Sequence, residues 1–142
     1  MRIDFYHLIT KMTEQVLPVL AEKSLGTGKV LMRVFDGEQA DYFDKFLWYY
    51  KDDGWIPHGL AGNPDAELQP FLITDSDDNL NGANVLFVVS AVPVDLEKII
   101  KNNEFERVLV IFPDNDVASK DNARKLWSVA VGSGCEHHYW KL

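Results

Sequence analysis

This 142-residue chain has one cysteine, Cys135, which excludes an intramolecular disulfide framework. No apolar run approaches the roughly 18 residues of a membrane-spanning helix. The opening MRIDFYHLIT has neither the long apolar core nor the small-residue cleavage site of a signal peptide, so cytoplasmic residence without membrane contact is expected. Positive charge is scarce: 14 Lys and Arg stand against 22 Asp and Glu, a formal net charge of -8. A surface of that sign does not grip nucleic acid over its whole area, because phosphate neutralisation needs concentrated Lys and Arg; a local basic patch stays open. Low-complexity tracts are missing too, and 46% hydrophobic with 25% charged residues is the balance of a chain folded throughout. At this length a single domain over residues 1–142 can bury its own core.

What is present is an alternation of two periodicities. Ile3 to Leu8 reads as a strand, then Val16, Leu17, Leu20 and Leu25 recur at helical spacing before Gly26 and Gly28. Val30 to Phe35 is a second compact apolar strand, followed by a helix from about Glu38 to Tyr50 whose Ala40, Phe43, Phe46, Leu47 and Tyr50 share a face. GWIPHGLAG, residues 54–62, is too rich in Gly and Pro for a regular element. Phe71 to Thr74 is a short strand, and Val85 to Val89 has the β-branched and aromatic content of a strand buried on both faces, which predicts parallel neighbours. A helix opening near Pro93, a strand from Arg107 to Phe112, a helix from about Val117 to Val131 and a terminal strand through Tyr139 and Trp140 complete the pattern. Such alternation predicts a three-layer α/β/α sandwich around a mostly parallel sheet.

The catalytic and metal motifs that the sequence brushes against each fail at an essential residue. Gly26-Thr27-Gly28-Lys29 resembles the end of a phosphate loop, but the hydroxyl position is Val30 and the segment leads from helix to strand, leaving no helix N-terminus for a phosphate. A helix-ending turn is expected. No G-x-G-x-x-G follows the first strand. Asp77, Asn79, Asn81 and Gly82 match the first half of an EF-hand loop, yet its twelfth position is Val88 instead of the bidentate Glu, so a polar turn is preferred. His137 and His138, adjacent on a strand, point to opposite faces and share no metal. Cys135 is expected to be a small buried hydrophobe. No catalytic residue, metal ligand or cofactor is assigned.

Two features read as binding surfaces. Trp55 sits in a loop before Pro57, where no periodicity demands burial; it is either a rigid interface anchor or part of a loop folded back over the sheet edge. In the last helix Lys120, Arg124 and Trp127 fall on one face, with Lys125 beside them. Such a stripe suits an acidic peptide ending in an apolar side chain and a carboxylate. An ordinary solvated face with Trp127 turned into the core fits the same spacing.

DFYHL at the start, GKVLMRVFD, the LWYY helix end, WIPHGLAG, LFVV and the terminal YWK run in this order across essentially the whole chain. Together they resemble the chi subunit of bacterial DNA polymerase III. The resemblance implies a Rossmann-like fold and a non-catalytic accessory of the clamp-loader assembly with two protein partners. One is the psi subunit, received around Trp55, Ile56, Pro57 and His58, a surface that family members can also present to a helicase-like repair protein. The other is the acidic, Phe-terminated C-terminal tail of single-stranded DNA-binding protein, received at Lys120, Arg124 and Trp127. Net negative charge elsewhere disfavours direct DNA binding, so DNA is expected to be contacted only indirectly. The family can carry a basic residue just after the aromatic; this chain has Ser128, with Lys125 as a substitute. Set against this are a nucleotide- or small-molecule-binding enzyme at the carboxyl ends of the strands and a direct nucleic-acid binder, which predicts tight, salt-sensitive binding to oligonucleotides.

Overall fold

The computed structural model describes residues 1–51 and 56–142. In chain order the elements are β1 (Arg2–Leu8), α1 (Thr13–Leu25), β2 (Val30–Arg33), α2 (Gly37–Tyr49), β3 (Gly59–Leu60), a short 3₁₀ turn (Ala66–Leu68), β4 (Phe71–Thr74), β5 (Val85–Val89), α3 (Leu96–Asn102), β6 (Arg107–Pro113), α4 (Val117–Ser133) and β7 (Glu136–Lys141). The strands form one seven-stranded sheet in the order β3-β4-β2-β5-β6-β1-β7, with every pairing parallel. The expected α/β sandwich is present, and its sheet is wholly parallel.

Period-two alternation explains why helices cover both faces. On one face Tyr6, Leu8, Phe87, Val89, Leu109 and Ile111 pack with Val16, Leu17 and Leu20 of α1 and with Phe43 and Leu47 of α2. On the other, Ile3, Phe5, Val88, Val108 and Val110 pack with Leu96 of α3 and with Ala123, Leu126 and Ala130 of α4. Each helix stops or starts on a recognisable device. Asp36 accepts from the Gln39 amide at the start of α2, and Gly134, at φ 76°, closes α4 in the left-handed conformation. A Cβ on Gly28 would stand 2.2 Å from the Asn84 side chain, so this turn after α1 has no room for another residue.

The Asp75 to Gly82 segment is a turn whose polar side chains serve the fold. Asp77 pairs with Arg33 at 3.0 Å, Asn79 braces Ala83 through both its amide atoms, and buried Asn81 donates to the Val30 and Gln69 carbonyls.

One element escapes the sequence pattern. Gly59–Leu60, inside the stretch expected to be irregular, forms a two-residue edge strand against Leu72 and Ile73. Glycine at an edge needs no side-chain packing, and two residues are too short to show alternation. A second departure concerns the aromatics, several of which are not core: Tyr49 is 83% exposed and Trp48 and Trp140 are nearly half exposed.

Candidate functional site

Edge strand β7 organises a surface that brings the α4 stripe together with aromatic side chains of the sheet. It lies parallel to β1 with Phe5 opposite Tyr139 and Tyr6 opposite Trp140. Alternate β7 side chains therefore go to opposite faces of the sheet: His137 and Tyr139 toward α4, His138 and Trp140 toward α1. Between α4 and this edge lies a cavity of about 280 Å³, lined by Lys120, Arg124, Trp127 and Ser128 from the helix and by Phe5, His7 and Tyr139 from the strands.

Trp127 combines the two orientations weighed for it. Its ring meets Phe5, His137 and Tyr139 edge-on, with centroids at 5.1, 5.0 and 5.6 Å, so it is anchored to the core while its free surface walls the cavity. Arg124 is 73% exposed and, among the described residues, pairs with Asp121 alone of the acids, at 3.5 Å, leaving most of its guanidinium donors to solvent. Lys120 lies 3.5 Å from Asp114. Lys125 is exposed on α4 but does not line the cavity, because the residue after Arg124 is turned about 100° away around the helix. Ser128, where a cation was sought, does line it, and its hydroxyl donates back to the Arg124 carbonyl at 3.1 Å.

Three participants had no signal in the helix pattern. His7 stacks on Phe112 at 4.7 Å and contacts the Asp114 carboxylate through Nε2 at 2.7 Å. With Nε2–H donating there, Nδ1 accepts from the Tyr139 hydroxyl. A Tyr139-His7-Asp114-Lys120 chain thus runs along the rim. The hydrogen bond from His7, and then the Lys120 ammonium, hold the Asp114 carboxyl below the usual carboxylate range. Burial, helped by the Asp114 charge, pushes the Tyr139 phenol up and keeps it a hydrogen-bond donor. Because the folded state lowers the Asp114 pKa, its stabilisation is present above the ordinary carboxyl value and disappears as pH falls through the lowered one. Asp114→Asn is therefore expected to melt below the wild type near neutrality, with the gap closing below about pH 4. Melting curves across pH check this; a gap that stays constant would show that ionisation of Asp114 is not involved.

At the loop proposed for the second surface, Trp55 lies outside the described residues, and two of its three companions are not on the surface. Ile56 is 1% exposed and sits in the core beneath α2. His58 is buried, tilted against Trp48 at 4.8 Å, with Nδ1 against the Ile56 carbonyl at 2.6 Å and Nε2 against the Asp44 carbonyl at 3.1 Å. Ile56 and His58 are thus turned inward in the free chain, and the His58 ring sits between the Ile56 carbonyl of its own loop and Asp44 of α2. Pro57 is exposed, and so are Trp48 and Tyr49 on the adjoining helix end.

Fold and site together define a parallel α/β domain with a cation-rimmed aromatic cavity at one sheet edge. Among the described residues no group of three His, Cys, Asp or Glu side chains is placed to hold a metal ion, and no helix is long and apolar enough to cross a membrane. Residues 1–138 match the family described as DNA polymerase III chi subunit, HolC. A relative from Rickettsia prowazekii (strain Madrid E), described as a probable DNA polymerase III subunit chi, is 31% identical over 115 residues, spanning 78% of this chain and 68% of that protein. The chain belongs to the DNA polymerase III chi subunit family, and its role is an accessory one in DNA replication.

Proposed function

We propose that the protein is a non-catalytic bridge in the polymerase III assembly. It receives the acidic, Phe-terminated tail of single-stranded DNA-binding protein in the cavity under α4, and the psi subunit at the surface around Trp55 and Pro57. The observation that carries the tail reading is the convergence of an exposed guanidinium, an ammonium and an aromatic wall on one cavity. Arg124 can hold a carboxylate through two donors, Lys120 adds a mobile charge for the acidic residues, and Trp127 with Phe5 offers an apolar seat for the terminal ring. For psi, the support is the cluster of exposed Pro57, Trp48 and Tyr49 beside a loop that His58 and Ile56 hold in place, since rigid aromatic surface is what partners bury with least entropy loss. The helicase-like repair protein is a further client of that surface.

The enzyme reading has little support at the place where it would apply. Strand order reverses between β2 and β5, and the hollow at their carboxyl ends is lined by Phe35, Asp36, Gln39, Ser90, Ala91, Asp116 and Ala118. Two carboxylates without a cation repel a phosphate.

Calorimetry with an acidic Phe-terminated peptide and with psi tests the bridge. Arg124→Ala is expected to weaken peptide binding about tenfold, roughly 1.4 kcal/mol, with psi binding unchanged; Trp55→Ala is expected to do the reverse. Loss of the same partner in both variants, or unchanged peptide affinity in Arg124→Ala, would overturn the two-surface picture.

A further inference from the structure

On the opposite face of the same β1–β7 edge lies a second cavity, of about 400 Å³, between α1 and the sheet. Its lining holds Arg2, Lys11, Lys23 and Arg107, four of the 14 cations of a chain whose net charge is -8. None of its lining residues is Asp or Glu. The side-chain carboxylates paired with its lining are Asp4, bonded to Arg107 Nε at 2.8 Å and Arg2 Nε at 3.1 Å, and Glu136, 3.6 Å from Arg2. Counted over side chains, four cations stand against two carboxylates there.

The acids of α1 are kept away from it. Glu14 and Glu22 accept the hydroxyls of Tyr42 and Tyr50 on α2, each at 2.9 Å. That leaves Gln15, Val19 and Lys23, at i, i+4 and i+8, facing the cavity. Lys11 and Lys23 have no ion pair among the described residues. Opposite this stripe stands Trp140, 44% exposed. Its indole N–H reaches Asp4 at 3.4 Å, and its ring stacks with His138 at 6.1 Å and an interplanar angle of 23°.

We infer that this cavity binds single-stranded DNA, with a base stacked on Trp140 and the phosphate backbone tracked by Lys11, Lys23 and the free guanidinium nitrogens of Arg2. Three observations select this ligand over an acidic peptide. Arg2 and Arg107 have already committed Nε to Asp4, which spends the side-on fork that best grips a carboxylate and leaves end-on donors for phosphate oxygens. Lys11 just before α1 and Lys23 in its last turn bracket a helix of 13 residues, whose length of roughly 20 Å at 1.5 Å per residue matches an extended backbone more than a single anionic terminus. The paired rings of His138 and Trp140 form a platform of the kind on which unpaired bases stack, whereas duplex bases are already stacked inside the helix. Membership of a DNA polymerase subunit family puts such a strand within reach. The distant acidic surface matters little at this range, because charges beyond about 8 Å are largely screened at physiological salt. DNA contact is then direct at one local patch, in place of the purely indirect contact that net charge alone suggests. This inference does not depend on the tail or psi assignments.

The test is fluorescence anisotropy of labelled oligo-dT of about 15 nucleotides with the full chain, starting at about 20 mM salt and rising. Saturable binding that weakens steeply with salt is expected. Lys11→Glu with Lys23→Glu should lose at least about tenfold, and Trp140→Ala about tenfold, as stacking on one aromatic gives. Trp140→Phe, which retains a ring, should lose less, and Arg124→Ala on the other face should lose nothing. Each variant is first shown to melt cooperatively. Absence of saturable binding at low salt, equal losses in Arg124→Ala and the Lys11/Lys23 variant, or equal binding of a duplex of the same length would overturn the inference. So would an acidic peptide that binds here in place of the oligonucleotide.

Discussion

Asp4→Ala is expected to destabilise the protein by about 2–3 kcal/mol and to lower its melting temperature by roughly 6–12 °C. Asp4 is fully buried on β1, yet its carboxylate is saturated by two guanidinium groups and an indole N–H. Arg107 sits opposite Arg2 in the β1–β6 register, so without Asp4 two like charges face each other across neighbouring strands. Breaking a fully buried ion pair costs about 3–5 kcal/mol; the lower figure reflects Arg2 and Arg107 being 42% and 33% exposed, which lets water take up part of the uncompensated charge. Asp4→Asn, which keeps an acceptor for one guanidinium and the indole, should lose about half as much. Thermal melts of the two variants decide the matter. Equal stability of Asp4→Ala and wild type would mean that the cluster is held by packing alone.

The same residue shows where sequence reading stops. Elements were legible wherever a continuous apolar run or a helical period extended over four residues or more, as in Val85 to Val89 or Val16 to Leu20. The lone carboxylate of β1 says nothing of its distant partners, because Arg107 and Trp140 lie more than 100 residues away in the chain and meet Asp4 only through parallel pairing on both sides of β1. The α4 stripe was legible for the same local reason as the helix itself: Lys120, Arg124 and Trp127 are spaced by turns. Its floor was not, since Phe5 and Tyr139 come together through the β1–β7 register. For Ile56 and His58, Gly and Pro content marked a loop correctly but could not say which side chains turn inward. The choice depended on Asp44 and Trp48, contributed by the preceding helix.

At the cavity under α4, Trp127→Ala is expected to reduce affinity for an acidic Phe-terminated peptide by at least about 30-fold, roughly 2 kcal/mol, more than any single charge change there. The reason is geometric. Arg124 is mostly in water, where loss of a charge is partly screened, whereas Trp127 supplies both the wall of the cavity and the support that holds Tyr139 and His137 against the helix. Truncation therefore removes apolar contact with the ligand and loosens the rim at once. Because the ring is also anchored on Phe5, some stability is lost, about 2–3 kcal/mol by analogy with other large aromatic truncations of partly buried rings. Trp127→Phe separates the two effects: it should recover most of the melting temperature and a large part of the affinity, since a smaller ring still meets Phe5 and faces the ligand. Calorimetry at fixed salt on both variants reads this directly. Retained peptide affinity in a folded Trp127→Ala would place the peptide elsewhere and leave the cavity with a structural role.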